Sequence, residues 1–92
     1  MKLHKIKLAE KYCDDVLSGR KTFEIRLNDR DYQVGDIVRF IPINHDETLP
    51  LPHDIKNKTY VITYVITDKE FWALEDNYCV FSIMPVAEME SE

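Results

Sequence analysis

The chain reads as a small α+β protein, mainly β: about five short strands in a small β-barrel, with one amphipathic helix between strands 1 and 2. Three observations predict this. Its 92 residues make one domain with a single core. Four or five runs alternate apolar and polar residues with the period of a strand. Only one stretch, after the first such run, follows the period of a helix. No strand–helix–strand rhythm repeats along the chain, which sets aside the open parallel sheets of α/β proteins.

Leu3-His4-Lys5-Ile6-Lys7-Leu8 alternates, placing His4, Ile6 and Leu8 on one face and lysines on the other. From Ala9 the spacing lengthens. Ala9, Tyr12, Cys13, Val16 and Leu17 recur at three- and four-residue steps, opposite Glu10, Lys11, Asp14, Asp15 and Ser18. Gly19 suits the residue just past a helix, where a left-handed backbone meets no Cβ clash. Lys21 to Leu27 alternates again, and the apolar rule places Phe23, Ile25 and Leu27 toward the core, with Thr22, Glu24 and Arg26 outward. Asn28–Asp31 is turn chemistry, and Val34-Gly35-Asp36 is a tight entry to the next strand, Ile37–Ile43. Residues 44–58 read as a long polar loop, and loops of that length are commonly functional or mobile. Thr59–Thr67 is the strongest strand, with Tyr60, Ile62, Tyr64 and Ile66 on one side. Residues 68–77 connect it to the last strand, Tyr78–Met84. The domain is expected to span 1–86, leaving 87–92 as a disordered acidic tail.

Charge is segregated. The net charge is −5, yet residues 1–39 hold nine Lys/Arg against seven Asp/Glu, and residues 40–92 hold three against ten. An acidic total argues against wide non-specific contact with a duplex, and leaves room for a small cationic pocket. No run is apolar for long enough to span a membrane, and the lysines near the start interrupt any secretory signal. Cys13 and Cys79 form no Cys-x-x-Cys pair and read as reduced, buried thiols of a cytoplasmic protein. His4, His45 and His53 lack metal-ligand spacing, and the only glycines, Gly19 and Gly35, form no phosphate loop. No metal, cofactor or membrane partner is expected.

The charged residues concentrate around one strand. Lys21, Glu24, Arg26, Asn28, Asp29 and Arg30 crowd it and its exit, where an exposed ion pair would contribute only about 0–1 kcal/mol. Such clusters tend to be kept for a ligand, and spacing alone leaves a binding site and a surface ion-pair cluster both open. Lys21 is a candidate base or nucleophile if neutral, and a clamp for phosphate or carbonyl oxygen if charged. His4 would join the same cleft if its strand lay beside this one. Phe71 and Trp72 read as loop aromatics covering the core, or as a stacking platform for a base.

Gly19-Arg20-Lys21-Thr22-Phe23-Glu24-Ile25-Arg26 resembles the G-x-K-x-x-E-x-R signature of ASCH domains, which have a PUA-like barrel. The longer run to Tyr32, Val34-Gly35-Asp36, the opening Leu3-His4-x-Ile6-Lys7 and the closing Tyr78-Cys79-Val80-Phe81 resemble the DUF3850 subfamily. The resemblance implies a ligand cleft beside the signature strand that takes RNA or a nucleotide-like molecule. Lys21, Arg26 and Arg30 would hold phosphate or carbonyl oxygens, Glu24 would accept from a base edge or orient Arg26, and His4 and Asn28 would flank. One ASCH branch hydrolyses the acyl amide of N4-acetylcytidine with a lysine, a threonine and a glutamate. Its lysine falls on Lys21 and its threonine on Glu24, and Glu70 and Glu75 are candidates for its glutamate. An amidohydrolase with Lys21 and Glu24 as catalytic residues is therefore the alternative. A third reading is a protein-interaction module using the acidic half against a basic partner.

Overall fold

Strand pairing gives each alternating run its place in one mixed five-stranded sheet. The computed structural model describes residues 1–46 and 48–86; the expected acidic tail, 87–92, and Glu47 lie outside them. β1 (Leu3–Ala9), α1 (Glu10–Leu17), β2 (Phe23–Leu27), β3 (Ile37–Ile43), β4 (Tyr60–Thr67) and β5 (Tyr78–Pro85) follow in order. The sheet runs β1-β3-β4-β5-β2. β1 and β3 are parallel, and the other pairs are antiparallel. This is the expected mainly β class, with the helix between strands 1 and 2. The sheet does not close into a continuous barrel: β1 and β2 are its two edges, and among the described residues no backbone ladder joins them.

β1 behaves as its alternation requires, with His4, Ile6 and Leu8 buried and Leu3, Lys5 and Lys7 exposed. α1 turns Cys13 and Val16 into the core formed with Val38, Phe40, Tyr60, Ile62, Phe81 and Ile83. It begins at Glu10, one residue later than the spacing suggests, because Ala9 still extends β1 and pairs with Ile43. Cys13 and Cys79 are both free and fully buried, and burial pushes both thiols up from their ordinary value.

The faces of β2 are the reverse of the expectation. Glu24 is only 3% exposed, whereas Phe23, Ile25 and Leu27 face outward, Ile25 with 58% exposure. Pairing with β5 decides this. Glu24 lies opposite Phe81 and Arg26 opposite Cys79, and directly opposed residues share a face. Phe81 and Cys79 belong to the core, so Glu24 and Arg26 must point inward with them. β4 carries a smaller reversal. A register shift between Ile62 and Tyr64 breaks the alternation, as a bulge does. Val65 then packs against the core and Tyr64 faces out.

The long polar loop of residues 44–58 carries local structure at its described residues. The Asn44 side chain accepts from the N–H groups of Thr48 and Leu49, and Ile43 forms a bridge with Pro50. Asp54–Asn57 is a short 3₁₀ turn that buries Ile55 completely. The His53 ring ties the turn to α1: Nδ1 accepts from Ile55 N–H, which leaves Nε2–H to donate to Asp14 at 2.7 Å. Trp72 covers no core. It is 92% exposed in the β4–β5 connection. Among the described residues no helix is long and apolar enough to cross a membrane.

Candidate functional site

The position of Lys21 begins with the end of α1. Gly19 takes φ +85°, its N–H donates to Val16 O, and Arg20 N–H donates to Asp15 O. This is the Schellman arrangement, which satisfies carbonyls that a helix end leaves open. Lys21 N–H also donates to Asp15 O at 2.9 Å, so the cap delivers Lys21 to the entrance of β2. A Gly19→Ala variant should lose about 1–2 kcal/mol, because a Cβ in the left-handed region is strained even though open space surrounds it. Chemical denaturation would register the loss as a lower midpoint with an unchanged slope.

Glu24 gathers the cations. Its Oε2 accepts from Lys21 Nζ, and its Oε1 from Arg26 Nε at 3.0 Å. Side-chain exposure is 4% for Glu24, 19% for Lys21 and 23% for Arg26, so both cations retain a face toward solvent. Lys21 Nζ also donates to Phe23 O at 2.7 Å and lies 5.0 Å from the ring centres of both Tyr12 and Phe23. Arg26 Nη2 donates to Lys7 O on the facing edge. A buried carboxylate is costly unless paired and hydrogen-bonded. Here one carboxylate meets two cations, and the trio keeps a net positive charge.

A groove of about 570 Å³ runs between the β1 and β2 edges, lined among others by Lys7, Tyr12, Lys21, Glu24, Ile25 and Arg26. Past Arg26 it continues into a second hollow of about 480 Å³ with Lys5, Lys7, Asp29, Arg30 and Tyr32. The structure thus brings Lys21, Glu24 and Arg26 into contact and places Arg30 farther along the same seam. His4 and Asn28 line neither hollow. His4 is buried behind Tyr32, with ring centres 4.7 Å apart, and its Nε2–H donates to Asp36 at 2.8 Å. Asn28 accepts from Tyr32 N–H, shaping the turn after β2.

Burial alone would raise the Asp36 carboxyl. Hydrogen bonds from His4, Lys2 N–H and Gln33 N–H, with the charge of His4, outweigh it and hold the group below its ordinary 3.8. Glu70 and Glu75 stand at the far end of β2. Leu27 pairs with Tyr78 there, about 13 Å of strand from Phe23, and Glu70 accepts from Thr67 N–H within its own turn. Among the described residues no three His, Cys, Asp or Glu side chains cluster as a metal site would need.

Tyr12, Lys5 and Lys7 were missed from the site by sequence reasoning. The alternation of β1 already put both lysines outward, but which strand they would face depended on topology. A family model described as Domain of unknown function (DUF3850) matches residues 3–83. The chain belongs to the DUF3850 family. The match takes in every residue of the Lys21–Glu24–Arg26 trio and both walls of the groove in this DUF3850 domain. A protein from Escherichia phage P2, described as an uncharacterized 12.9 kDa protein in GpA 3'region, is 51% identical over 35 residues. That stretch covers 38% of the DUF3850 chain and 32% of the phage protein, under a third of the relative's length.

Proposed function

We propose that this DUF3850 domain binds RNA or a modified nucleotide in the groove between β1 and β2. The observation that carries the reading is the pair of cations fixed on one buried carboxylate, each still open to the groove. Preorganised donors of this kind suit phosphate or carbonyl oxygens. Tyr12 and the outward Ile25 supply apolar surface for a base or sugar. The likeness to ASCH domains, whose PUA-like barrel has its cleft beside the same signature strand, supports the same ligand class. Glu24 orients Lys21 and Arg26 rather than reading a base edge, because both its oxygens are engaged.

Amide hydrolysis fits the groove less well. Lys21 Nζ is committed to two acceptors, and among the described residues Glu24 is the only carboxylate lining the hollow that holds Lys21. Lys21→Ala separates the readings. For a binding module it should weaken a short RNA or nucleotide about 10–100-fold, the equivalent of one charged hydrogen bond, with no turnover of N4-acetylcytidine by the unmodified protein. Turnover that Lys21→Ala abolishes would establish the hydrolase instead. Unchanged nucleotide binding in Lys21→Ala would remove the groove from the function.

A further inference from the structure

Seven of the chain's twelve Lys/Arg residues line three adjoining hollows: Lys5, Lys7, Lys21, Arg26, Arg30, Arg39 and Lys56. Among the described residues the acids that join them are Glu24 and Asp29. A chain of net charge −5 therefore presents a positive tract on one side. The third hollow, about 490 Å³, lies across the outer face of β1 and β3 from the groove already described. Its cations are Lys5, Arg39 and Lys56, its apolar walls include Ile41 and Leu51, and no carboxylate lines it among the described residues.

Lys5 and Ile41 line this hollow and also the one that holds Arg30, so the two are continuous. Strand register fixes the spacing. Lys5 pairs with Arg39 and Lys7 with Ile41, which sets the lysines about 6.6 Å apart along one strand and Arg39 on the next. Among the described residues none of Lys5, Lys7, Arg30, Arg39 and Lys56 has a carboxylate within ion-pair distance. Like charges held side by side repel, and among the described residues no ion pair relieves these five.

The geometry points to a single-stranded nucleic acid as the ligand, running from the Lys21–Arg26 groove across β1 and β3 into the hollow at Arg39 and Lys56. This rests on the reading of the groove as a nucleotide site and extends it: one nucleotide would leave the far hollow empty, whereas several successive phosphates follow the tract. The mixture suits a strand, since cations meet phosphates while Ile41 and Leu51 meet bases or sugars.

The test measures a mixed-sequence single-stranded RNA of about ten nucleotides, within the usual footprint of such tracts, against a nucleoside monophosphate. Binding is followed from about 50 to 200 mM salt. The Arg39→Ala/Lys56→Ala pair should weaken the RNA at least tenfold and make its logarithmic salt slope shallower by about 1.4, at about 0.7 per phosphate contact. Its monophosphate binding should stay unchanged. Arg39→Lys/Lys56→Arg should keep the slope; loss there as well would assign the effect to structure and overturn the tract. An unchanged slope in the alanine pair, with Lys21→Ala still weakening the RNA, would overturn the tract and leave the groove reading standing. The reverse pattern would overturn the groove reading, and with it a strand that starts there. Equal competition by a sulfated polysaccharide, charge for charge, would overturn the assignment to nucleic acid.

Discussion

A Glu24→Ala variant is expected to lose about 2–3 kcal/mol of stability and to melt roughly 10–20 °C lower. The carboxylate is almost wholly buried and is the shared acceptor for Lys21 and Arg26. Its removal leaves two cations facing each other without an anion, and severing one member of a buried pair costs about 3–5 kcal/mol. Both cations keep partial contact with water, which places this case toward the lower side. For a domain of this length each kcal/mol moves the midpoint by about 4–8 °C. Glu24→Gln keeps the shape but turns one NH2 donor toward a cation, so it should fall between wild type and alanine. Nucleotide affinity, measured where the variant is still folded, should drop because the ammonium and guanidinium lose their common anchor. Tighter binding than wild type would show instead that Glu24 competes with the ligand.

Asp36→Ala should have the largest effect, about 3–5 kcal/mol, a sizeable part of the 5–15 kcal/mol that ordinarily holds a domain together. Asp36 receives the buried His4 ring and the N–H groups of Lys2 and Gln33, so its loss orphans three donors at the start of β1 and β3. The same carboxyl makes the fold acid-sensitive. It is held below its ordinary 3.8 in the fold and returns to that value on unfolding. Its contribution is therefore complete above about pH 4 and disappears as pH falls through the lower, folded-state value. Denaturation at neutral pH and near pH 3 should show the gap between wild type and Asp36→Ala narrowing in acid. A gap that stays constant would mean that the pair contributes packing rather than charge.

What was legible in the chain was local. The alternation of β1, the spacing of Cys13 and Val16 in α1, and Gly19 as the helix stop each depend on neighbours a few residues away. Each holds in the structure. The inward turn of Glu24 depends on β5, more than fifty residues downstream, and its own apolar neighbours argued for the opposite face. Phe23, Ile25 and Leu27 are a hydrophobic stripe by pattern and a solvent-facing one by register. His4 looked like a flank of the site because nothing nearby announces Asp36 as its partner. Ile55 looked like part of a polar loop because one apolar residue among charges carries no period. The signature around Lys21 located the candidate site. Its second wall, Lys5 and Lys7, required knowing that β1 and β2 are the two edges of one sheet.

That open seam bears on motion. The β1–β3 ladder runs from Leu3–Ile37 to Ala9–Ile43, and β4, β5 and β2 form a second, extensively paired ladder. Among the described residues they are joined by the pairings of Ile37 and Val38 with Val61 and Tyr60 and by the backbone bonds of Gly35 and Asp36 with Ile62 just before them. Across the seam from that junction, Arg26 reaches Lys7 O as a latch. A sheet divided in this way is expected to open first where it has the fewest backbone bonds to sacrifice, at the β1–β2 seam, while the shared core holds the two ladders together. Hydrogen exchange should find the amides of β4 and β5 slow and those bordering the seam fast. A ligand that spans both walls would slow the latter selectively, by holding two plates together rather than by tightening the core.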